Sequence, residues 1–193
     1  MQVRPRSVTP SISMWALGFL LLSLVVTLLV PATPARAAEL SGGIQTPSFV
    51  WETIHNPGFL DSGRDVAVDV YGNSFVLAAT YHDDNDIAVL KLSPDGTVLW
   101  AVDIIGESLD FPGGIALDGA GDVWIAGWTD SADWPTVDPL QGSLIGFRDA
   151  FATKLSADDG TILYSTFLGG DYVDEGHDIA VTATGDIVLV GQT

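Results

Sequence analysis

After residue 50 the chain is a succession of short apolar runs separated by polar, glycine-bearing breaks. Val66-Ala-Val68 gives way to Asp-Val-Tyr-Gly-Asn-Ser and then to Phe75-Val-Leu-Ala-Ala79, and Asp86–Leu92 leads through Ser93-Pro-Asp-Gly96 to Thr97–Trp100. Runs this short, rich in β-branched and aromatic residues and bounded by Gly, Pro, Asn and Asp, predict strands. No stretch after residue 37 carries a helical period. Gly72-Asn73, Gly121-Asp122 and Gly185-Asp186 each stand between two such runs. Glycine accepts the positive φ of a tight connection, so each pair of runs is expected to form an antiparallel hairpin.

The pattern repeats. Val66–Thr80 returns without a gap as Ile115–Thr129 and again as Ile179–Thr193, and an aromatic residue (Trp51, Trp100, Tyr164) stands 15 positions before each copy. A second element, Asp86–Ser93, recurs as Asp149–Ser156, each leading into a Gly-Thr turn. The copies are 49 and 64 residues apart, and the difference lies in Asp130–Arg148 against Tyr81–Asn85. This marks a loop of variable length on a constant fold. Four short antiparallel strands per unit are the signature of a β-propeller blade. The expected fold is therefore all-β: about two full blades plus parts of flanking ones, in units starting near residues 51, 100 and 164. Propellers have about four to eight blades, so further blades are expected from a missing C-terminal part.

Specific residues carry a resemblance. Tyr164-Ser-Thr-Phe-Leu-Gly-Gly170, Ile115-Ala-Leu-Asp118 with Gly121-Asp-Val-Trp-Ile-Ala-Gly-Trp-Thr129, Asp133-Trp-Pro-Thr136 and Asp149-Ala-Phe-Ala-Thr-Lys-Leu155 resemble the bacterial SBBP β-propeller repeat, and more distantly the NHL repeat. The resemblance runs from about residue 51 to the end. It implies a propeller in a secreted or cell-surface protein. The first unit departs from the pattern, with Asn56-Pro57-Gly58 in place of Leu-Gly-Gly and a shortened loop after Thr80.

The N-terminus is a different kind of polymer. Arg4 and Arg6 precede an apolar run from Met14 to Val30, followed by Pro31, Pro34 and Ala35-Arg-Ala-Ala38. This fits a secretory signal peptide over 1–37, cleaved after Ala37, with 38–50 a linker to the repeats. A membrane is a partner only if the segment stays uncleaved, and a helix of its 17 residues would reach about 25 Å, short of a hydrocarbon core of about 30 Å. The whole chain carries a formal charge of −18. Removing 1–37 leaves four basic against 25 acidic side chains, or −21. Such a field repels a phosphate backbone, which excludes sequence-independent nucleic-acid binding. The absence of cysteine excludes disulfides, thiolate zinc sites and a cysteine nucleophile.

Candidate chemistry lies outside the repeated positions. His177 sits two residues before Ile179, where a propeller's innermost strand enters the channel mouth, and Arg64 and Gly113 hold the same place in the other copies. The NHL resemblance adds that related lyases carry Pro-His-Gly-Ile here, whereas this chain has Pro112-Gly-Gly-Ile115. Arg64 and His177 are thus expected ligand contacts at the mouth, with no catalytic residue assigned. Trp128 and Trp134, beside the variable loop, are expected to offer indoles for stacking on a sugar or peptide, while Trp51, Trp100, Trp124 and Tyr164 are expected in inter-blade packing. Asp83, Asp84 and Asp86 form an oxygen-rich group suited to Ca²⁺, although no EF-hand loop is present. Asp69 and Asp118, replaced by Thr182 in the third copy, are expected to brace turns. The function expected from this pattern is an exported, non-catalytic module that binds a protein or carbohydrate ligand. The alternative is an NHL-like lyase or hydrolase with its site at the channel mouth.

Overall fold

Alternating side chains and glycine-bearing turns produce strands throughout. The computed structural model describes residues 24–30, 48–55, 60–81 and 85–193, and side chains over 62–80 and 85–193. Within these residues the fold is all-β, without a helix. Four strands, β3 (Leu60–Val68), β4 (Ser74–Tyr81), β5 (Asn85–Leu92) and β6 (Val98–Ile104), form a first antiparallel sheet in sequence order. A second sheet is built the same way from β7 (Asp110–Leu117), β8 (Val123–Thr129), β9 (Asp149–Leu155) and β10 (Ile162–Leu168). β11 (Glu175–Val181) and β12 (Ile187–Gln192) form a hairpin, the third sheet, and no sheet closes on itself. Trp100 and Tyr164, near which two of the expected units start, lie in β6 and β10, the last strand of each four-stranded sheet, so the sheets are offset from the units read from the sequence.

Upstream, β1 (Leu24–Val30) pairs antiparallel with β2 (Ser48–His55). Most of the expected signal peptide lies outside the described residues. Cleavage after Ala37 would take β1 away from β2.

The turns have the expected chemistry. Asp69 Oδ1 accepts the amides of Tyr71 and Asn73, and Asp118 Oδ1 those of Ala120 and Asp122, while Thr182 Oγ1 accepts that of Asp186. Gly72, Gly121 and Gly185 hold φ of 84°, 90° and 89° at the same place in each hairpin, a region costly for residues with a Cβ. Lys154 adds ion pairs to Asp118 and Asp122 at 2.8 and 3.0 Å, tying the β7–β8 turn to β9.

Each sheet has two apolar faces, so burial requires stacking. The forward face, turned toward the next sheet along the chain, carries Ala67, Phe75, Leu77, Val89, Trp100 and Val102 in the first sheet. These share one core with Ile115, Val123, Ile125 and Leu155 of the second. Polar contacts fix the seam: Lys91 Nζ and Trp100 Nε1 both donate to the Ala157 carbonyl, at 2.8 and 3.1 Å, and the Ile115 amide donates to Asp65 Oδ2 at 3.0 Å. The third sheet lies against the second through β11, which packs on β7 and β8, and β3 likewise packs on β7. The first strands of successive sheets are therefore neighbours.

The variable segment 130–148 follows a path that the sequence does not reveal. It runs along the outer edge of β10, where Val137 and Ser165 exchange backbone hydrogen bonds and Phe167 N donates to the Gln141 carbonyl. Asp149 holds it there, accepting Gln141 Nε2 at 2.6 Å and the Ile145 amide at 3.1 Å.

Candidate functional site

The hairpins β3–β4, β7–β8 and β11–β12 break register at the same position: between Gly63 and Asp65, between Pro112 and Gly114, and between Gly176 and Asp178. The extra residues at these β-bulges are Arg64, Gly113 and His177. A bulge bends its strand and re-aims a side chain. With β3, β7 and β11 side by side, the three fall in a row. The glycine in the middle is sterically required, since a Cβ there would lie 2.6 Å from the Gly176 carbonyl oxygen and 2.9 Å from that of His177.

A chain of contacts crosses the row. The exposed Arg64 donates through Nε to the Pro112 carbonyl at 3.3 Å, and its guanidinium lies over Phe111, 4.6 Å from the ring centroid. Phe111 stacks on Trp128 across β7–β8, with centroids 5.3 Å apart and planes 10° from parallel. Arg148 covers the other face of Trp128 at 3.5 Å, a cation–π arrangement. Arg148 also forks onto Asp130, Nε to Oδ1 at 2.7 Å and Nη2 to Oδ2 at 3.0 Å, and reaches Glu175 Oε1 through Nη1 at 2.6 Å. Glu175 Oε2 meets His177 Nε2 at 3.3 Å. The Arg148 hydrogen bond holds the Glu175 carboxyl below its ordinary range against the opposing effect of burial, and His177 adds to the lowering.

The structure thus joins Arg64, Trp128 and His177, three of the residues singled out in the sequence. Phe111, Arg148 and Glu175, which connect them, carry no repeat signal. A clue to Arg148 is its rarity: it is one of four basic residues after residue 37, and it stands next to the repeated Asp149.

Both tryptophan expectations need correction. Trp128 is sandwiched between Phe111 and Arg148, so neither indole face is free to stack on a ligand. Trp134 is 2% exposed and stacks on Phe151, centroids 4.2 Å apart. The loop that was expected to display it folds back on β10 and carries the indole into the core.

The acidic candidates separate. Asp83 and Asp84 lie outside the described residues. Asp86 is the second residue of β5, is 7% exposed and pairs across to Thr80. Asp149 pairs with Thr129 in the same way, and Thr129 in turn faces Asp110, giving a buried acid–threonine–acid row at one end of the second sheet. Among the described residues no group of three or more His, Asp or Glu could hold a metal ion. Asp110 is fully buried: Ser131 Oγ donates to its Oδ2 at 3.2 Å, and its Oδ1 has no hydrogen-bond partner. Burial pushes its pKa up to about 6 against the lowering effect of the Thr129 and Ser131 hydroxyls, and Asp86 raises it further.

No protein-family model matches the chain, and no curated protein matches it. Among solved structures it is similar to a protein of unknown function from Bacteroides caccae, with 14% identity and a TM-score of 0.45 over 74% of this chain. The chain spans 42% of that protein's length. Among the described residues no helix is long and apolar enough to cross a membrane.

Proposed function

We propose that this chain is a segment of a β-propeller, exported through its N-terminal signal peptide, that acts as a non-catalytic module binding a protein or carbohydrate at the starts of its innermost strands. The observation that carries this reading is the row Arg64–Gly113–His177. Repeat-locked bulges place three unlike residues side by side, at the end of a stack whose other repeated positions serve packing or turns. Among the described residues Arg64 has no ion pair, and its guanidinium is oriented by Phe111 and Pro112. The glycine floor and the engagement of Glu175 by Arg148 favour binding over acid–base turnover, because a carboxylate held ionised by an arginine is a poor proton donor.

The test is an amide-resolved NMR titration of the ¹⁵N-labelled protein with a lysine-rich peptide and, separately, with cello-oligosaccharides. Saturable shifts at Arg64, Gly113 and His177 with one probe, which itself stays chemically unchanged, are expected. Absence of saturation with both probes, or conversion of either, overturns the reading. Export is tested separately: intact-mass analysis of protein recovered outside the cell is expected to give a chain beginning at Ala38, and an unprocessed Met1 terminus contradicts it.

A further inference from the structure

The outer edges of the first two sheets differ. β6 and β10 are the last strands of their sheets and hold the same register on their inner neighbours. Ala101 stands opposite Leu90 as Ser165 does opposite Thr153, and Asp103 opposite Ala88 as Phe167 does opposite Phe151. In an antiparallel strand the backbone groups of alternate residues point away from the inner neighbour. On β10 those groups are used. Ser165 and Val137 exchange backbone hydrogen bonds at 3.0 and 2.9 Å, and the Phe167 amide donates to the Gln141 carbonyl at 3.2 Å. The shared register puts the amide and carbonyl of Ala101 and the amide of Asp103 in the same outward positions on β6. Among the described residues no strand pairs with that edge.

The length of one connection explains the difference. In the second sheet the segment 130–148 leaves β8, passes outside β10 and returns to β9. The corresponding connection of the first sheet is Tyr81–Asn85. Those five residues reach at most about 18 Å. A path out past β6 and back to β5 is about 24 Å at a strand spacing of about 4.8 Å. The first sheet therefore cannot line its own outer edge with this connection. In the propeller read from the repeats, neighbouring blades stack on the faces of β3–β6 and leave that edge open.

Charge selects the occupant. β6 carries Asp103 and no basic residue, and Asp103 is exposed. The exposed Asp95 stands in the turn that leads into the strand. With four basic against 25 acidic side chains after residue 37, pairing of two β6 edges would bring like charges together. A strand bearing lysine or arginine meets no such cost and gains the main-chain bonds that give strand addition its affinity.

We propose that the outer edge of β6 docks an extended, lysine- or arginine-bearing segment of a partner protein, which joins the first sheet as a fifth strand where Val137 and Gln141 lie on the second. The edge is independent of the row at Arg64, which lies on β3 at the opposite side of the same sheet.

Amide-resolved NMR of the ¹⁵N-labelled full chain tests this with three short acetylated peptides: alternating Lys-Val, alternating Glu-Val, and Lys-Val with its backbone amides N-methylated. The first is expected to give saturable shifts on β6 and to slow hydrogen exchange at Ala101 and Asp103. The other two are expected to bind at least about tenfold more weakly, one for its charge and the other for its lost hydrogen bonds. Ala101→Pro removes an outward amide at an edge position, where proline is tolerated. It is expected to weaken the Lys-Val peptide as much, with unchanged far-UV circular dichroism. Should that variant fail to fold, Asp103→Lys, at an exposed site, is expected to reverse the preference between the Lys-Val and Glu-Val peptides. Absence of saturation on β6, equal binding of either control peptide, or undiminished binding by folded A101P overturns the proposal. So does exchange at Ala101 and Asp103 in the free protein as slow as at Ser165 and Phe167, which would mean an edge already paired, with a second copy if protection rises with concentration.

Discussion

Replacing Phe151 by alanine is expected to lower the unfolding free energy by about 3–5 kcal/mol, the range for removing a fully enclosed aromatic side chain. Phe151 is 0% exposed and belongs to the core shared by the first two sheets. Its ring stacks on Trp134 and lies over Gly127, where a Cβ would come within 2.8 Å of it. The cavity left behind cannot be filled by small shifts, because Trp134 is fixed by a segment pinned to β10 and Gly127 has no side chain to offer. Urea unfolding should show the loss as a lower midpoint with an unchanged slope. Trp134 fluorescence should shift to the red as water gains access to the indole. The exposed Leu140, in the same segment, supplies the control: Leu140→Ala is expected to change stability by less than about 0.5 kcal/mol. A loss below about 1 kcal/mol for Phe151→Ala would mean that the two sheets do not share this core.

The second large effect is tied to pH. Asp110 has a folded pKa of about 6, above the ordinary 3.8. A raised value means that the folded state favours the protonated form. The resulting stabilisation is present in full below pH 3.8 and is lost as pH rises through 6. At one to two units above the folded value the buried carboxylate costs on the order of 3 kcal/mol relative to the neutral acid. Asp110→Asn keeps the shape without the charge. It is expected to be more stable than the wild type at pH 7.5 by about that amount, to match it near pH 4, and to lack the wild-type decline between those values. Melting temperatures of both proteins from pH 4 to 8 give the comparison, and parallel curves would exclude a buried ionising Asp110. Asp149, at the far end of the same row, receives the Gln141 side chain and two loop amides, whereas Asp110 Oδ1 receives nothing.

How much of this was readable in advance depended on whether a residue repeats. The strands, their order and their turns follow from short apolar runs spaced by Gly-Asn and Gly-Asp, because local backbone preference and side-chain alternation decide them. The alignment of Arg64, Gly113 and His177 was also legible, since a bulge at a constant offset from the repeated Val or Ile carries its residue to the same place each time. Trp128 and Trp134 were misjudged for the opposite reason. Their surroundings are set by the path of residues 130–148, which has no second copy to calibrate it and is fixed by tertiary contacts such as Gln141 to Asp149 and Arg148 to Glu175. The latter spans 27 positions, and nothing in the local sequence announces it. Asp86 looked like part of an exposed acidic loop because its neighbours Asp83 and Asp84 are polar. It lies within a buried strand instead, as its alignment with Asp149 implies.

The path of residues 130–148 has a consequence for how such units tolerate change. An outermost strand offers a row of amides and carbonyls that any extended peptide can join. In the second sheet that row is hemmed by the chain's own Val137 and Gln141. The stretch that differs in length between copies therefore works as a selvedge against fibril growth. Trimming it to the five residues found in the first unit would exchange a sealed margin for an adhesive one.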